Sequence, residues 1–452
     1  MTLATVAAVL GGELRGADVR FSDVSTDSRS IRRGDLFVAL RGERFDGHDF
    51  LADVAAAGAA AALVDRAHAA AAPLPVAAVG DTTVALGTLA AHWRAGFDIP
   101  LIAVAGSNGK TTVKEMTAAC LRAHFGDAAV HATRGNLNNH IGLPLTLLAL
   151  RPAHRVAVVE IGMNHRGETA QLARISAPTI AVVNNAQREH QEFMRSVADV
   201  AEEHADLVRV LPESGVAVFG ADDVHAGIWR AAAGTRAVRD FGLRETAQVH
   251  ARCVLGATSS RIAAVTPEGS AEFELPLAGE HNVRNALAAI ASATAAGAAL
   301  EACARALGRF VAVKGRLQVK PGLKGTTLID DTYNANPDSV RAAIDVLARA
   351  AGRKLMVLGD MGEVGEQGAA FHEEVGTYAR AAGIDALYAL GGQAALAARA
   401  FGAGARFYPG IEQLLADLAH ALGPQTTMLV KGSRFMQMER VVRGFEASGT
   451  ED

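Results

Sequence analysis

The stretch AVAGSNGKTTVKEM (residues 103–116) decides the fold of the chain around it. An apolar run that predicts a buried strand leads, through a short glycine loop, into an amphipathic helix that opens on Lys110 and Thr111. The backbone N–H groups of such a loop, together with the helix N-terminus, form a cradle for phosphate oxygens. Lys110 can then reach the β- and γ-phosphates, and the Thr111 hydroxyl suits Mg²⁺. The stretch therefore predicts a site for a nucleoside triphosphate.

This loop is shorter than the full phosphate-loop pattern, because Val104 stands where that pattern has its first glycine. The alternative is an ordinary strand-to-helix turn that carries Gly-Lys-Thr by chance. The coincidence of strand, glycines, lysine, two threonines and helix favours the phosphate site. The residues assigned to it are Gly106, Ser107, Asn108, Gly109, Lys110, Thr111 and Thr112.

The segments on either side predict an α/β protein. Residues 100–106, 155–162 and 179–185 are fully apolar and alternate with helical stretches, which indicates a mostly parallel sheet covered on both faces. Residues 249–279 instead form short runs separated by turns, which predict an antiparallel insert.

The two ends of the chain predict further domains. The N-terminal part holds three short strands and a helix over 82–96, which begins at an N-cap on Asp81 or Thr82. The C-terminal part predicts four strands with helices between them, a doubly wound, Rossmann-like sheet. We therefore expect three domains, over residues 1–97, 98–312 and 313–452, with the phosphate loop in the central one.

Composition excludes several classes of protein. The 452 residues carry 44 basic and 48 acidic side chains, and the net charge of −4 argues against coating nucleic acid or an anionic membrane. The three cysteines are far apart and form no CxxC pair, which fits a reducing compartment. Without a signal peptide or an apolar run of about 20 residues, we expect a cytoplasmic protein with no membrane span. We also expect a monomer.

Lysine is scarce in this chain. Of the 44 basic residues 37 are arginine and 7 are lysine, and no lysine occurs between Lys114 and Lys314.

Two side chains that follow strands are candidates for binding Mg²⁺. Glu160 ends the apolar strand in VVEIGMNH, and His190 lies in NNAQREHQE just after the next strand. Strand ends surround the ligand crevice in α/β sheets, and a carboxylate there suits Mg²⁺. The alternatives are a solvated glutamate at the strand end and a surface histidine.

Amide side chains supply candidates for substrate and nucleotide binding. Asn138 and Asn139, in GNLNNHIGLPLTLL, offer donors and acceptors that suit a phosphorylated, amide-bearing substrate. Asn282, in HNVRNALAA, suits an adenine edge. Helix capping is the alternative for both segments.

The terminal parts of the chain carry three more groups of candidates, each of which is otherwise a solvated surface loop. Thr26, Ser28 and Arg29 suit a pyrophosphate or a uracil. Asp331 and Tyr333, in DDTYNANPDS, suit a ribose or a phosphate. The loops after the next strands place Asp360, Lys431 and Ser433 where a substrate can be bound.

Taken together, these motifs resemble the Mur ligases. GSNGKTTVKEM, GNLNNHIGLPLTLL, VVEIGMNHRGE, VVNNAQREH, GEHNVRNALAA, KGR, DDTYNANP, LGDMGEVGE and VKGSR occur in the order seen in that family, over essentially the whole chain. The resemblance implies an ATP-dependent ligase with a UDP-binding, an ATP-binding and a Rossmann-like domain. The DTYNANP, GNLNN and TDSRSIRRGDLFVAL segments are similar to the branch that joins D-alanyl-D-alanine to UDP-N-acetylmuramoyl-tripeptide.

The resemblance also implies roles for single residues and names the cofactors, ATP and Mg²⁺. Lys110, Glu160 and His190 fall on catalytic positions, and Thr111, Glu160 and His190 on positions for Mg²⁺. Asn282, Arg316 and Asp331 fall on the nucleotide side, and Lys431 and Ser433 on the acceptor side. The implied partners are the two small-molecule substrates.

One position departs from the family. Several Mur ligases carry a carbamoylated lysine about fourteen residues after the histidine, where this chain has His204. A carbamoyl-lysine is impossible here, because the segment has no lysine. His204, Glu203 or Asp206 is then the candidate replacement. The open alternatives for the whole chain are a sibling Mur or folylpolyglutamate-type ligase, or a regulatory P-loop NTPase.

Overall fold

The apolar run before the phosphate loop forms a strand at the centre of a six-stranded sheet. In the computed structural model, which describes residues 1–447, all five residues of this strand are buried. The sheet is parallel throughout, with the order β11-β10-β9-β6-β8-β7. Its strands are β6 (Leu101–Ala105), β7 (Val130–Ala132), β8 (Val156–Glu160), β9 (Ile180–Val183), β10 (Val216–Phe219) and β11 (Ala237–Val238).

Helices cover both faces of this central sheet, as the continuous apolar strands predict. The helix after the phosphate loop begins at Lys110, as expected from the sequence. The helices are α4 (Lys110–Phe125), α5 (Gly142–Leu148), α6 (Glu168–Ser176), α7 (Val197–Arg209), α8 (Ala226–Ala233), α9 (Glu280–Ala295) and α10 (Leu300–Leu307).

The predicted antiparallel insert is confirmed as part of a separate four-stranded sheet. Its last three strands pair antiparallel, and a short first strand is parallel to the second. The alternating burial of the middle strand shows that one face packs against the protein. The strands are β12 (Phe241–Gly242), β13 (Val249–Leu255), β14 (Ser260–Thr266) and β15 (Gly269–Leu275).

The N-terminal region is a five-stranded sheet with the order β1-β5-β4-β3-β2, in which only β1 is antiparallel. Asp81 is the N-cap of α3, because its side chain accepts from the N–H groups of Thr83 and Val84. The elements are α1 (Leu3–Val9), α2 (Leu51–Ala56), α3 (Thr82–Ala95), β1 (Glu13–Arg15), β2 (Val24–Ser25), β3 (Leu36–Val38), β4 (Ala61–Asp65) and β5 (Val76–Val79).

The C-terminal region contains six strands, so the prediction of four was incomplete. The order is β16-β17-β21-β18-β19-β20, and only β16 is antiparallel. Both missed strands are short edge strands with polar side chains. The strands are β16 (Gln318–Pro321), β17 (Thr327–Asp331), β18 (Arg353–Gly359), β19 (Ala386–Leu390), β20 (Ala405–Tyr408) and β21 (Thr426–Lys431).

The C-terminal helices lie between the strands, as predicted, and one more helix follows the last strand. The first begins in the NANPDS segment, where Asn336 and Ser339 form a reciprocal capping box and Pro337 takes the first turn. The helices are α11 (Pro337–Ala348), α12 (Gly368–Ala381), α13 (Ala394–Phe401), α14 (Ile411–Ala421) and α15 (Glu439–Phe445). Within residues 1–447, no helix is both long and apolar enough to cross a membrane.

Candidate active site

The phosphate loop between β6 and α4 needs glycine for steric reasons. Gly109 has a φ of +82°, in the left-handed region. A Cβ atom at Gly109 would also lie 2.5 Å from Oδ1 of Asn285 and 2.8 Å from Nδ2 of Asn184. Both amides belong to neighbouring elements of the same cavity, so the loop is held tightly against its surroundings.

Lys110 points back over the loop that precedes it. Its ammonium donates to the carbonyl oxygens of Gly106 and, at 3.1 Å, Ser107. Its third contact is with Oε2 of Glu189, at 3.2 Å. The side chain is 17% exposed and lines a cavity of about 1340 Å³. Lys110 is therefore positioned where a polyphosphate would meet it.

Glu189 is a buried anion that the sequence analysis did not single out. Its other carboxylate oxygen lies 3.2 Å from Nε2 of His204, and Nε2 of His190 lies 3.8 Å from Oε2. Burial raises the pKa of Glu189, but the charge of Lys110 and the hydrogen bond from His204 outweigh that effect and hold it at about 2. The carboxyl group is therefore ionised at neutral pH.

The position of the family's lysine is filled by a histidine that faces Glu189. His204 is 1% exposed, and its Nδ1 has no partner within the described residues. The two other candidates point elsewhere. Glu203 accepts from the N–H groups of Gly167 and Thr169 at the start of α6, and Asp206 pairs with Arg209. Of the three, only His204 contacts the site.

Glu160 is held at the end of β8 with one oxygen free. Its N–H donates to Oγ1 of Thr133 at 3.0 Å, and its Oε1 accepts from Nδ2 of Asn138 at 2.7 Å. Oε2 is buried, has no hydrogen-bond partner among residues 1–447, and belongs to a side chain that lines the cavity. Lys114, fully buried, donates to the carbonyl of Thr133 and thus supports the same segment.

These residues fit a bound Mg²⁺. An unpartnered buried carboxylate oxygen is costly unless a donor or a cation approaches it, and Mg²⁺ prefers oxygen ligands. Nδ1 of His190 lies 2.7 Å from Oε2 of Glu363 without the geometry of a hydrogen bond, and its Nε2 lies 3.8 Å from Oε2 of Glu189. The Thr111 hydroxyl instead accepts from Arg316 at 3.4 Å.

Asparagines connect the phosphate loop to the wall of the cavity that carries Asn282. Nδ2 of Asn184 donates to the carbonyl of Asn108 and to Oδ1 of Asn285, whose Nδ2 donates to Oδ1 of Asn282. Nδ2 of Asn282 donates to the Ala278 carbonyl within its own helix region. These hydrogen-bonded amides hold the side chain of Asn282 in place in the cavity wall.

The C-terminal region closes the cavity with a cation and an ion pair. The guanidinium of Arg316 stacks on Tyr333, 3.9 Å from the ring centroid, and also reaches Thr111. Lys431 is buried and lies 2.6 Å from Asp331, and burial lowers the pKa of its ammonium despite that partner. In this structure Lys431 orients Asp331 and the carbonyl of Asn334.

The loop after β9 joins the central and C-terminal regions. Arg188 binds Asp338 and Glu374 through its guanidinium, and these bonds raise its pKa. Asn108 and Asn336 exchange hydrogen bonds through their side-chain amides. The loop therefore contacts the C-terminal region at Arg188, directly before Glu189, which contacts Lys110.

One cavity collects most of the predicted site residues. Those that line it are Ser107, Asn108, Gly109, Lys110, Thr112, Asn138, Asn139, Glu160, His190, Asn282, Arg316, Asp331, Tyr333 and Lys431. Helix α3 of the N-terminal region supplies part of the wall through Thr83, Val84, Gly87, Thr88 and Ala91.

The other candidates lie outside this lining. Gly106 and Thr111 adjoin it within the phosphate loop and α4. Asp360 accepts from the N–H of Ala394 at the start of α13, and Ser433 bridges Ala335 and Gly362. Thr26, Ser28 and Arg29 follow β2 in the N-terminal sheet, where Arg29 pairs with Asp27. Their binding roles stay predictions.

Fold and site define a class of protein. Residues 20–94 match the Mur ligase family catalytic domain, residues 104–293 the Mur ligase middle domain and residues 315–434 the Mur ligase glutamate ligase domain. These matches span well over half of the chain, which belongs to the Mur ligase family.

Individual relatives narrow the similarity to one branch. The UDP-N-acetylmuramoyl-tripeptide--D-alanyl-D-alanine ligase of Escherichia coli (strain K12) is 41% identical over 100% of this chain and 99% of its own length. A crystal structure of MurF from Acinetobacter baumannii superposes with a TM-score of 0.91 at 35% identity, covering 98% of each chain. MurF ligase from Thermotoga maritima in complex with ADP superposes with a TM-score of 0.82 at 27% identity, covering 93% of this chain and 96% of the other.

Proposed function

We propose that this chain is an ATP-dependent amide ligase that joins D-alanyl-D-alanine to UDP-N-acetylmuramoyl-tripeptide in peptidoglycan precursor synthesis, with release of ADP and phosphate. The observation that carries the proposal is the shared cavity. The cavity is lined by Lys110 of the phosphate loop, by Glu160 with its free oxygen, and by the stacked Arg316 and Tyr333 of the C-terminal region. A cavity of about 1340 Å³ has room for several reactant groups.

The first chemical step activates a carboxylate. A carboxylate is a poor electrophile, so an oxygen of the tripeptide's terminal carboxylate attacks the γ-phosphorus of ATP, and the bond to the β,γ-bridging oxygen breaks. ADP leaves, and an acyl phosphate remains. The loop N–H groups and the Lys110 ammonium offset the charge on the moving phosphoryl group.

The second step forms the amide. The neutral amine of D-alanyl-D-alanine attacks the acyl carbon, the C–O bond to phosphate breaks, and the amine gives up a proton as phosphate leaves. Acyl phosphates hydrolyse, so the site must exclude water. The contacts of Arg188 and Asn108 with the C-terminal region hold the cavity closed on one side.

Mg²⁺ belongs to this proposal. Glu160 and His190 would hold it, with Thr111 near the same loop, and when bound it supplies positive charge against the nucleotide phosphates. The proposal also includes domain boundaries near residues 98 and 313 and a monomeric state. It includes a cytoplasmic location, which is expected from three unpaired cysteines.

Substrate omission tests the function. ATP, UDP-muramoyl-tripeptide and D-alanyl-D-alanine are mixed, and phosphate release is measured with each component left out in turn. Release should require all three. Release that ignores the amine would favour a regulatory NTPase, and release with a free diamino acid or glutamate in place of the dipeptide would favour a sibling ligase.

A further inference from the structure

The ammonium of Lys110 is fully engaged by the protein itself. Two of its contacts are carbonyls of the phosphate loop, Gly106 and Ser107, and the third is the carboxylate of Glu189. The carbonyls are neutral and are fixed by the loop. Glu189 is therefore the anionic partner of the Lys110 ammonium, at the place where a phosphate is expected to bind.

Glu189 is not free to move aside like a surface side chain. It is 6% exposed, and His204 contacts its second oxygen. The loop that carries it is attached to the phosphate loop on the N-terminal side. Ser107 exchanges hydrogen bonds with Gln187 through its hydroxyl, and the N–H of Asn108 donates to Asn185.

A fixed carboxylate in this place opposes the binding of another anion. Like charges a few ångströms apart repel strongly in a poorly solvated site. A polyphosphate that approaches Lys110 must share the ammonium with Glu189 and lie beside its negative charge. A divalent cation placed with the polyphosphate would reverse this balance, because it is attracted to both anions.

We propose that Glu189 is an internal competitor for Lys110, positioned by His204, which weakens the binding of nucleotide that carries no divalent cation. The side chain thereby selects the metal complex of the nucleotide over the free form. This proposal rests on the proposed ATP site and adds a selectivity determinant to it.

The variant Glu189→Gln removes the charge and keeps the shape. The glutamine oxygen can still accept from Lys110. Its amide can donate to Nε2 of His204, because the unpartnered Nδ1 of that ring is free to carry the proton. The matched control is Glu192→Gln, which removes the same charge from an exposed position three residues further along the loop.

The decisive measurement is the Kd of ADP by titration calorimetry in EDTA, with no divalent cation. We expect Glu189→Gln to bind ADP about tenfold more tightly than the unaltered chain, a gain of about 1.4 kcal/mol. Glu192→Gln should change this Kd by less than about twofold. A Kd in EDTA that is unchanged or higher in Glu189→Gln contradicts the proposal and shows that Glu189 only braces the loop.

A second measurement tests the proposal even if Glu189→Gln lowers the stability of the fold. Thermal unfolding in EDTA is followed with and without pyrophosphate. The unliganded variant should unfold at a lower temperature, because Lys110 has lost its counter-ion, while its stabilisation by pyrophosphate should be larger. Equal or smaller stabilisation contradicts the proposal. If the unaltered chain binds no ADP even with Mg²⁺, the proposed function itself fails, and this inference fails with it.

Discussion

Arg188 and Asp338 form a two-pronged contact between the loop after β9 and the first turn of α11. Nη2 of Arg188 lies 2.6 Å from Oδ1 of Asp338, and the backbone N–H of Arg188 donates to Oδ2 at 2.9 Å. Glu374 binds the other side of the guanidinium at 2.7 Å. Glu189, which faces Lys110, is the residue directly after Arg188. The Arg188–Asp338 contact therefore links the C-terminal region to Glu189.

The Arg188–Asp338 contact should favour the arrangement in which the central and C-terminal regions lie against each other beside the cavity. We call this arrangement the closed form. Asp338→Asn leaves the guanidinium with one carboxylate, which should cost the closed form about 2 kcal/mol. X-ray scattering with a non-hydrolysable ATP analogue and the muramoyl-tripeptide should then give a larger radius of gyration than in the unaltered chain. The control is Glu373→Gln on α12, which removes an exposed pair with Arg399 of α13. Equal radii for Asp338→Asn and the unaltered chain would refute the role of the contact.

Asn138 should act on the reaction through Glu160. Its amide orients the carboxylate so that Oε2 is left free, and Asn138→Ala removes that donor. Groups that orient metal ligands typically change metal affinity or activity by about 10–100-fold. We expect kcat to fall within that range and the Mg²⁺ concentration at half-maximal activity to rise.

The neighbour Asn139 provides the control for this prediction. Its side chain accepts from the N–H groups of Ile141 and Gly142 at the start of α5, whereas the hydrogen bond to Glu160 comes from Asn138. Asn139→Ala should lower stability by about 1 kcal/mol without moving the Mg²⁺ requirement. If both variants shift that requirement equally, Asn138 has no special part in it.

Arg94 should stabilise the junction between the N-terminal and central regions. It is 5% exposed, has no salt-bridge partner in the described part of the chain (residues 1–447) and donates to the carbonyls of Phe97, Ile99, Ser176 and Ala177. Arg94→Met leaves those carbonyls without a donor, which should cost about 3 kcal/mol in the free energy of unfolding. Urea unfolding measures this. Arg305→Met, an exposed change on α10, should cost less than about 0.5 kcal/mol.

The pH dependence of stability should include a contribution from His131. Burial lowers the pKa of its ring to about 4, although the ring also donates to the carbonyl of Thr146. The unfolded chain therefore binds the proton first as pH falls from 6.5, and stability is lost between pH 6.5 and about 4. The loss should reach up to about 3 kcal/mol.

His131→Gln keeps the donor to Thr146 and removes the titration. Its stability should fall less steeply over that pH range in urea unfolding. His420→Gln, at an exposed position, should leave the slope unchanged. Parallel curves for His131→Gln and the unaltered chain would show that the ring does not contribute.

Regular elements with strong apolar periodicity were predictable from the sequence. Helix α4 begins at Lys110, as predicted, because the glycine loop precedes it, and it ends just before Gly126. Strand β16 was missed because its alternating exposure and terminal Pro321 resemble a loop, and its pairing with β17 depends on residues distant in sequence. Short edge strands carry little local signal.

The residues that line the cavity were predictable where a motif carries its own chemistry. The phosphate loop and Glu160 are of this kind. Glu189 was missed because its importance comes from Lys110 and His204, which lie 79 and 15 residues away in sequence. Lys431 was assigned to the substrate side from its motif, which stays a prediction, and its pairing with Asp331, 100 residues away, carries no signal in the local sequence. Such partners are set by the fold and not by spacing.

The most direct test of the account is phosphate release by the unaltered chain and by Lys110→Ala, with ATP, UDP-muramoyl-tripeptide and D-alanyl-D-alanine. The account predicts release that needs both the tripeptide and the dipeptide, one amide bond formed per phosphate, and loss of activity by at least about a thousandfold in Lys110→Ala. Release without the dipeptide at the full rate, or near-normal activity in Lys110→Ala, would contradict it.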